Sequence, residues 1–136
     1  LGANTYTGDQ NLADNDLLRA RLQDCGFAYS DAGNVTSIDY TNGPAQRWAP
    51  TGTKTLTISN WPPSGTLGEL LIKGVNLAAA TLTWPTVNWV KPDGTTTTTL
   101  ATYLTAAGIS LQSSGTDFVL IWTDDGGTTL YGKVIR

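Results

Sequence analysis

The chain has 136 residues, enough for one domain with a real hydrophobic core. Only 14% of them are charged, where about 25% is usual, and threonine, glycine, serine and asparagine make up the difference, a composition suited to pleated strands and turns. A net charge of −3, eight scattered Lys and Arg, no histidine and one cysteine argue against nucleic-acid binding, exclude His-dependent catalysis and an ordinary zinc site, and rule out an intrachain disulfide.

In chain order, residues 9–26, "DQNLADNDLLRARLQDCG", hold the one helical pattern: Leu18, Leu22 and Cys25 recur at i, i+4 and i+7. Asn11, Asp14 or Asn15 can cap its start, Asp14 and Asp16 suit the positive end of the dipole, and Gly26 suits the position after the last turn. Such a helix is marginal alone, so Leu17, Leu18 and Leu22 must bury against something. Strand signals follow. "VTSIDY" (35–40) runs into Asn42–Gly43, a strong turn dipeptide, and "TKTLTIS" (53–59) alternates with Leu56 and Ile58 on one face. "WPPSG" (61–65) breaks any strand. "LGELLIKGV" (67–75) reads as a strand with an irregularity at Gly68 or Gly74, and "ATLTW" (80–84) as another, stopped by Pro85. "KPDGTTTTTL" (91–100) is a turn followed by a threonine run that fits an edge strand or an extended loop. Residues 118–123 and 129–135 form a closing hairpin around "DDGG". The expected fold is mostly β: an antiparallel, jelly-roll-like β-sandwich over 31–136, preceded by an N-terminal arm with a short helix over 1–30. The chain begins at Leu1 rather than Met, as expected of a piece of a longer polypeptide.

Asp124 and Asp125 resemble a site at first sight. Catalysis or metal binding needs carboxylates converging from several elements, whereas these two are neighbours before Gly126–Gly127, which supply positive-φ turn positions. The calcium-loop spacing with a trailing Glu is missing, and the one glutamate, Glu69, lies in a strand. These residues read as a turn, and the chain is expected to be no enzyme, with no catalytic residue, cofactor or metal.

"FVLIW" (118–122) is apolar on both faces: Phe118, Leu120 and Trp122 on one, Val119 and Ile121 on the other. A half-exposed strand would alternate, so each face requires a cover, either from the same chain or from another subunit. Of the five tryptophans, Trp84 and Trp122 read as core, while Trp48, Trp61 and Trp89 stand near turns.

Three stretches together resemble a module of tailed-bacteriophage virion proteins, especially tail-fibre and related appendage proteins. They are "YTGDQNLADNDLLRARLQD" (6–24), "TLTISNWPPSGTLGELLIKGVNLAAATLTWPTVNWVKPDGT" (55–95) and "LTAAGISLQSSGTDFVLIWTDDGGTTLYGKVIR" (104–136). They respectively match the family's helical entry, its strand with "Trp-Pro-x-Ser-Gly" and "Thr-Trp-Pro-x-Val-x-Trp", and its closing hairpin. Two positions depart from the pattern: Ala20 stands where a proline often follows the arginine, and Leu130–Tyr131 where a tryptophan is common. The resemblance implies a small β-sandwich that builds a fibre, collar or appendage on the exterior or tail of the virion. It also implies a homotrimer docked to other virion proteins; the charge leads us to expect no bound nucleic acid, and the lack of any stretch long and apolar enough to span a bilayer leads us to expect no membrane insertion. Its interface residues would be Leu17, Leu18 and Leu22 on the helix and Val119 and Ile121 on the last hairpin. Two alternatives accompany this: a module binding a host-surface glycan on Trp48, Trp61 or Trp89 as aromatic platforms, or a capsid decoration protein.

Overall fold

Two eight-residue strands set the frame of the computed structural model, which describes residues 30–135. Strand β6 (Gly68–Val75) and strand β10 (Thr116–Thr123) pair antiparallel along their whole length, from Gly68 opposite Thr123 to Val75 opposite Thr116. Around them β1 (Ser30–Gly33), β3 (Ala45–Trp48), β8 (Val87–Val90), β9 (Thr96–Thr97) and β11 (Leu130–Ile135) complete a seven-stranded sheet in the order β1-β3-β6-β10-β11-β8-β9.

Strand directions are mixed. The β6–β10, β10–β11 and β8–β9 ladders are antiparallel, while β1–β3, β3–β6 and β8–β11 run parallel. The mostly-β expectation holds; the large sheet is mixed, antiparallel in the central, closing and β8–β9 ladders and parallel in the others. Parallel neighbours need a crossover, and the chain makes one with the elements that lie between them in sequence. From β3 to β6 it builds β4 (Thr53–Thr55) and β5 (Thr57–Ser59); between β8 and β11 it adds β9, the helix α1 (Leu100–Ala107) and β10.

The second layer consists of two parallel two-stranded ladders, β2 (Ser37–Asp39) with β5, and β4 with β7 (Thr81–Thr83). "TKTLTIS" is therefore two strands. It parts at Leu56, whose amide donates to Thr83 O at 2.8 Å and whose side chain is buried in the core. Leu56 and Ile38 from this layer meet Trp48, Leu70, Ile72, Val119 and Ile121 from the sheet in one hydrophobic cluster. Full burial of each such side chain contributes roughly 1.5–3 kcal/mol.

Helix α1 begins at Leu100, directly after the threonine run 95–99. Tyr103 is its buried residue; the ring stacks on Trp89, and its hydroxyl accepts from Val134 N at 3.0 Å and lies 3.3 Å from Val134 O. Gly108, at φ 65°, closes the helix by donating to Leu104 O and Thr105 O. Gly68 and Gly74 sit in an unbroken ladder, so neither marks an irregularity. A β-carbon at Gly74 would fall 2.4 Å from Leu77 Cδ1, so close packing demands that glycine.

Candidate functional site

The acid pair is a turn. Asp125 accepts from Thr129 N at 2.9 and 3.1 Å and from the Thr123 hydroxyl at 2.8 Å, and Thr123 Oγ accepts from Gly127 N at 3.0 Å. These bonds, the Thr129 amide first, hold the Asp125 carboxyl below its ordinary range. Asp124 instead uses its carbonyl, which accepts from Gly65 N at 2.8 Å and ties the turn to the "WPPSG" loop. The turn packs tightly there: a β-carbon on Gly127 would lie 2.3 Å from Trp61 Cδ1. Asp31, Asp39 and Asp93 follow the same logic. Each accepts from an amide two residues on, from Gly33, Thr41 and Thr95 respectively, at 2.9 Å. Among the described residues no group of three or more His, Cys, Asp or Glu could hold a metal ion.

Two of the three candidate glycan platforms lie in the core. Trp48 is fully buried and donates from Nε1 to Val35 O at 2.9 Å; Trp89 is 1% exposed. The two are bridged by Trp84, which meets each edge-on with centroids 5.7 and 5.6 Å away. Neither Trp48 nor Trp89 can offer a ring face to a sugar, because each is already packed against other rings. Trp61 is half-buried beside Tyr40, centroids 5.1 Å apart, and its Nε1 is buried without a hydrogen-bond partner.

The interface residues expected on the last hairpin are corrected too. Val119 and Ile121 are fully buried and point into the core, so they hold the chain's own two layers together. Leu17, Leu18 and Leu22 lie outside the described residues.

The residues on the face away from the core are different. The ladder registers place them in rows across the strands, since side chains alternate between faces. Asp31, Arg47, Lys73, Phe118 and Ile135 form one row, Ala45, Leu71, Leu120 and Lys133 the next, and Glu69, Trp122, Tyr131 and Asn88 the third. None of these side chains belongs to the core cluster. Phe118 is 41% and Ile135 43% exposed, large values for apolar residues near the middle of a sheet. Trp122, which reads as core in sequence, stacks on Tyr131 here with centroids 5.9 Å apart.

The face is graded from charge to apolar surface. At the β1 edge Arg47 Nη1 meets both carboxylate oxygens of Asp31 at 3.1 Å; the Gly33 amide first, and then this guanidinium, hold that carboxyl below its ordinary range. Toward β10 and β11 the apolar side chains adjoin one another, flanked by Lys73, Lys133 and Glu69. An apolar patch rimmed by charge is suited to contact with another surface. Val119 and Ile121 face the core, whereas Phe118, Leu120 and Trp122 of the same strand lie on the opposite face. The signal was present, because Glu69, Lys73 and Lys133 share the face of Phe118, Leu120 and Trp122, and a sheet face carrying charges is the one turned outward.

No family model, curated protein or solved structure matches the chain.

Proposed function

We propose that this protein is a non-catalytic building block of a bacteriophage particle, a fibre, collar or appendage domain. In this reading it assembles as a homo-oligomer of three chains and docks to other virion proteins on the exterior or tail. The carrying observation is the outer sheet face, where Phe118, Leu120, Trp122, Leu71, Tyr131 and Ile135 form an apolar strip inside a charged rim. Carboxylates that resemble reactive groups in sequence are engaged in turns, so the chemistry on offer is contact. The three resembling stretches supply the virion setting.

The test is an epitope inserted after Asp93. This is an exposed turn between β8 and β9, closed by Gly94 N donating to Lys91 O at 2.9 Å. Antibody-labelled particles viewed by electron microscopy should carry label on the tail or an appendage. Label confined to the capsid shell would favour a decoration protein, and unlabelled particles in a preparation that contains the chain would contradict both placements.

A second reading, host-glycan recognition, is favoured by one row of the same face. Trp122 and Tyr131 supply apolar rings, and Glu69 and Asn88 flank them with hydroxyl-binding groups. It predicts retention of the chain on host lipopolysaccharide that is lost in Trp122→Ala and kept in Trp61→Ala. Equal retention of parent and Trp122→Ala would retire it.

A further inference from the structure

Strands β3 and β6 end side by side, with Trp48 opposite Gly74, and the chain leaves each of them by a turn. A cavity of about 260 Å³ is lined by the ends of both strands and by these turns. That is a little below the roughly 300 Å³ at which pockets for drug-sized ligands begin, so it suits one small ring. Pro50, Val75 and Ala79 supply apolar wall, and Arg47, Thr51 and Asn76 add polar side chains from β3 and from both turns.

Each of the three polar side chains is held by a second residue and keeps a donor to spare. Arg47 Nη1 is taken by both oxygens of Asp31 at 3.1 Å, and its Nη2 and Nε have no partner among the described residues. Thr51 and Asn34 bond reciprocally at 2.9 Å: Thr51 N donates to Asn34 Oδ1, and Thr51 Oγ1 accepts from Asn34 Nδ2, keeping its own proton to give. Asn76 Oδ1 accepts from Gly115 N at 2.8 Å and Asn76 N donates to Gly115 O at 2.9 Å, which leaves its Nδ2. Donors fixed in this way lose little freedom when a ligand arrives. Among the described residues no acidic side chain lines the cavity. The Asp31–Arg47 pair is partly open to solvent, its side chains 57% and 34% exposed, so it is weak enough to share the guanidinium with a second anion.

We infer that this cavity binds a carboxylated sugar ring. The carboxylate bonds to Arg47, ring and hydroxyl oxygens accept from Thr51 and Asn76, and the C–H face rests on Pro50, Val75 and Ala79. Side chains that offer donors and no acceptor select a ligand rich in acceptor oxygens. A simple aliphatic carboxylate would engage Arg47 and leave the other two donors idle. A neutral sugar would forgo the charge-assisted bonds, which are roughly twice as strong as neutral ones. The site is separate from the Trp122 row and does not rest on the assembly proposed above, so its failure would leave both readings standing.

The test is an NMR titration of the isotope-labelled chain with sodium glucuronate, with glucose and sodium acetate as controls. Glucuronate should shift the Thr51 and Ala79 amides, the Asn76 side-chain amide and the Arg47 Nε–H together, saturating in the millimolar range expected of so small a ligand. Glucose and acetate should each bind about tenfold more weakly or not at all. Arg47→Gln removes the charged donor and should weaken glucuronate about tenfold or more. Ala79→Leu, at an exposed position, fills the cavity while keeping every donor, and should abolish binding. No saturable shift with glucuronate overturns the inference. Equal shifts with acetate would mark an adventitious ion only, and equal shifts with glucose a site indifferent to the carboxylate; either result overturns it too. Full binding by Ala79→Leu would place the ligand elsewhere and do the same.

Discussion

Trp122 and Tyr131 face one another across β10 and β11, ring planes 20° from parallel, on the side of the sheet that the core does not use. One position along, Ile121 opposite Gly132 belongs to the fully packed side, where a β-carbon at 132 would strike Val87 Cγ1 at 2.6 Å. One strand thus serves two surfaces, and that division carries the functional reading.

Substitutions on the two faces should separate cleanly. Ile121→Ala is expected to cost about 2–5 kcal/mol by leaving a cavity in the core. Phe118→Ser should cost under about 1 kcal/mol in the stability of the single domain while weakening assembly. Denaturant titration and native mass measured on the same samples check this. Equal losses of stability from both variants would mean that Phe118 is packed within its own chain.

Gly127→Ala should destabilise by about 2–4 kcal/mol. The residue sits at φ 88°, and its new methyl would press on the Trp61 indole. Trp61→Ala in the same chain should recover part of the loss by removing the clash, which a double-mutant cycle in thermal melts would register. Additive losses would contradict the contact.

The acid turn makes an asymmetric prediction. Asp125→Ala removes the acceptor for Thr129 N and the Thr123 hydroxyl and should lower the melting temperature; Asp124→Ala keeps the carbonyl that Gly65 uses and should leave it nearly unchanged. Calcium should shift neither variant nor the parent. A melt raised by calcium in the parent alone would show that the pair binds a cation.

Asp31, Asp39, Asp93 and Asp125 all have carboxyls held below the ordinary value of 3.8. The leading causes are the Gly33 amide, the Thr41 hydroxyl, the Thr95 hydroxyl and the Thr129 amide respectively. A folded-state value below the unfolded one contributes stability that is present above 3.8 and lost as pH falls through the depressed values. Melting temperature should therefore be insensitive to these groups near neutrality and decline on the acid side of 3.8. Replacing Asp39 and Asp125 with Asn should flatten that acid limb. An unchanged limb would mean that the turns persist with protonated carboxyls.

Much of the strand content was legible, because β10, β11, β6 and β7 alternate or run apolar between clear turn residues. The break at Leu56 was not, since period-2 alternation continues through it and only tertiary pairing sends Thr53–Thr55 and Thr57–Ser59 to different ladders. Parallel directions were hidden for the same reason, as periodicity does not record the partner. Helix α1 has a legible signal: Leu100, Tyr103, Leu104 and Ala107 recur at helical spacing before Gly108, behind a threonine run that fits an edge strand or an extended loop. Trp48 and Trp89 misled because nearby turns suggested exposure, whereas both project inward from sheet strands. The outer face was half-legible, through the charges that share it.

The most direct test of the central claim is the native mass of the purified chain, measured by light scattering at several protein concentrations. Assembly through the outer face predicts the mass of three chains, unchanged on dilution, and a lower mass for Leu120→Asp. A single-chain mass at every concentration, identical for parent and variant, would contradict it.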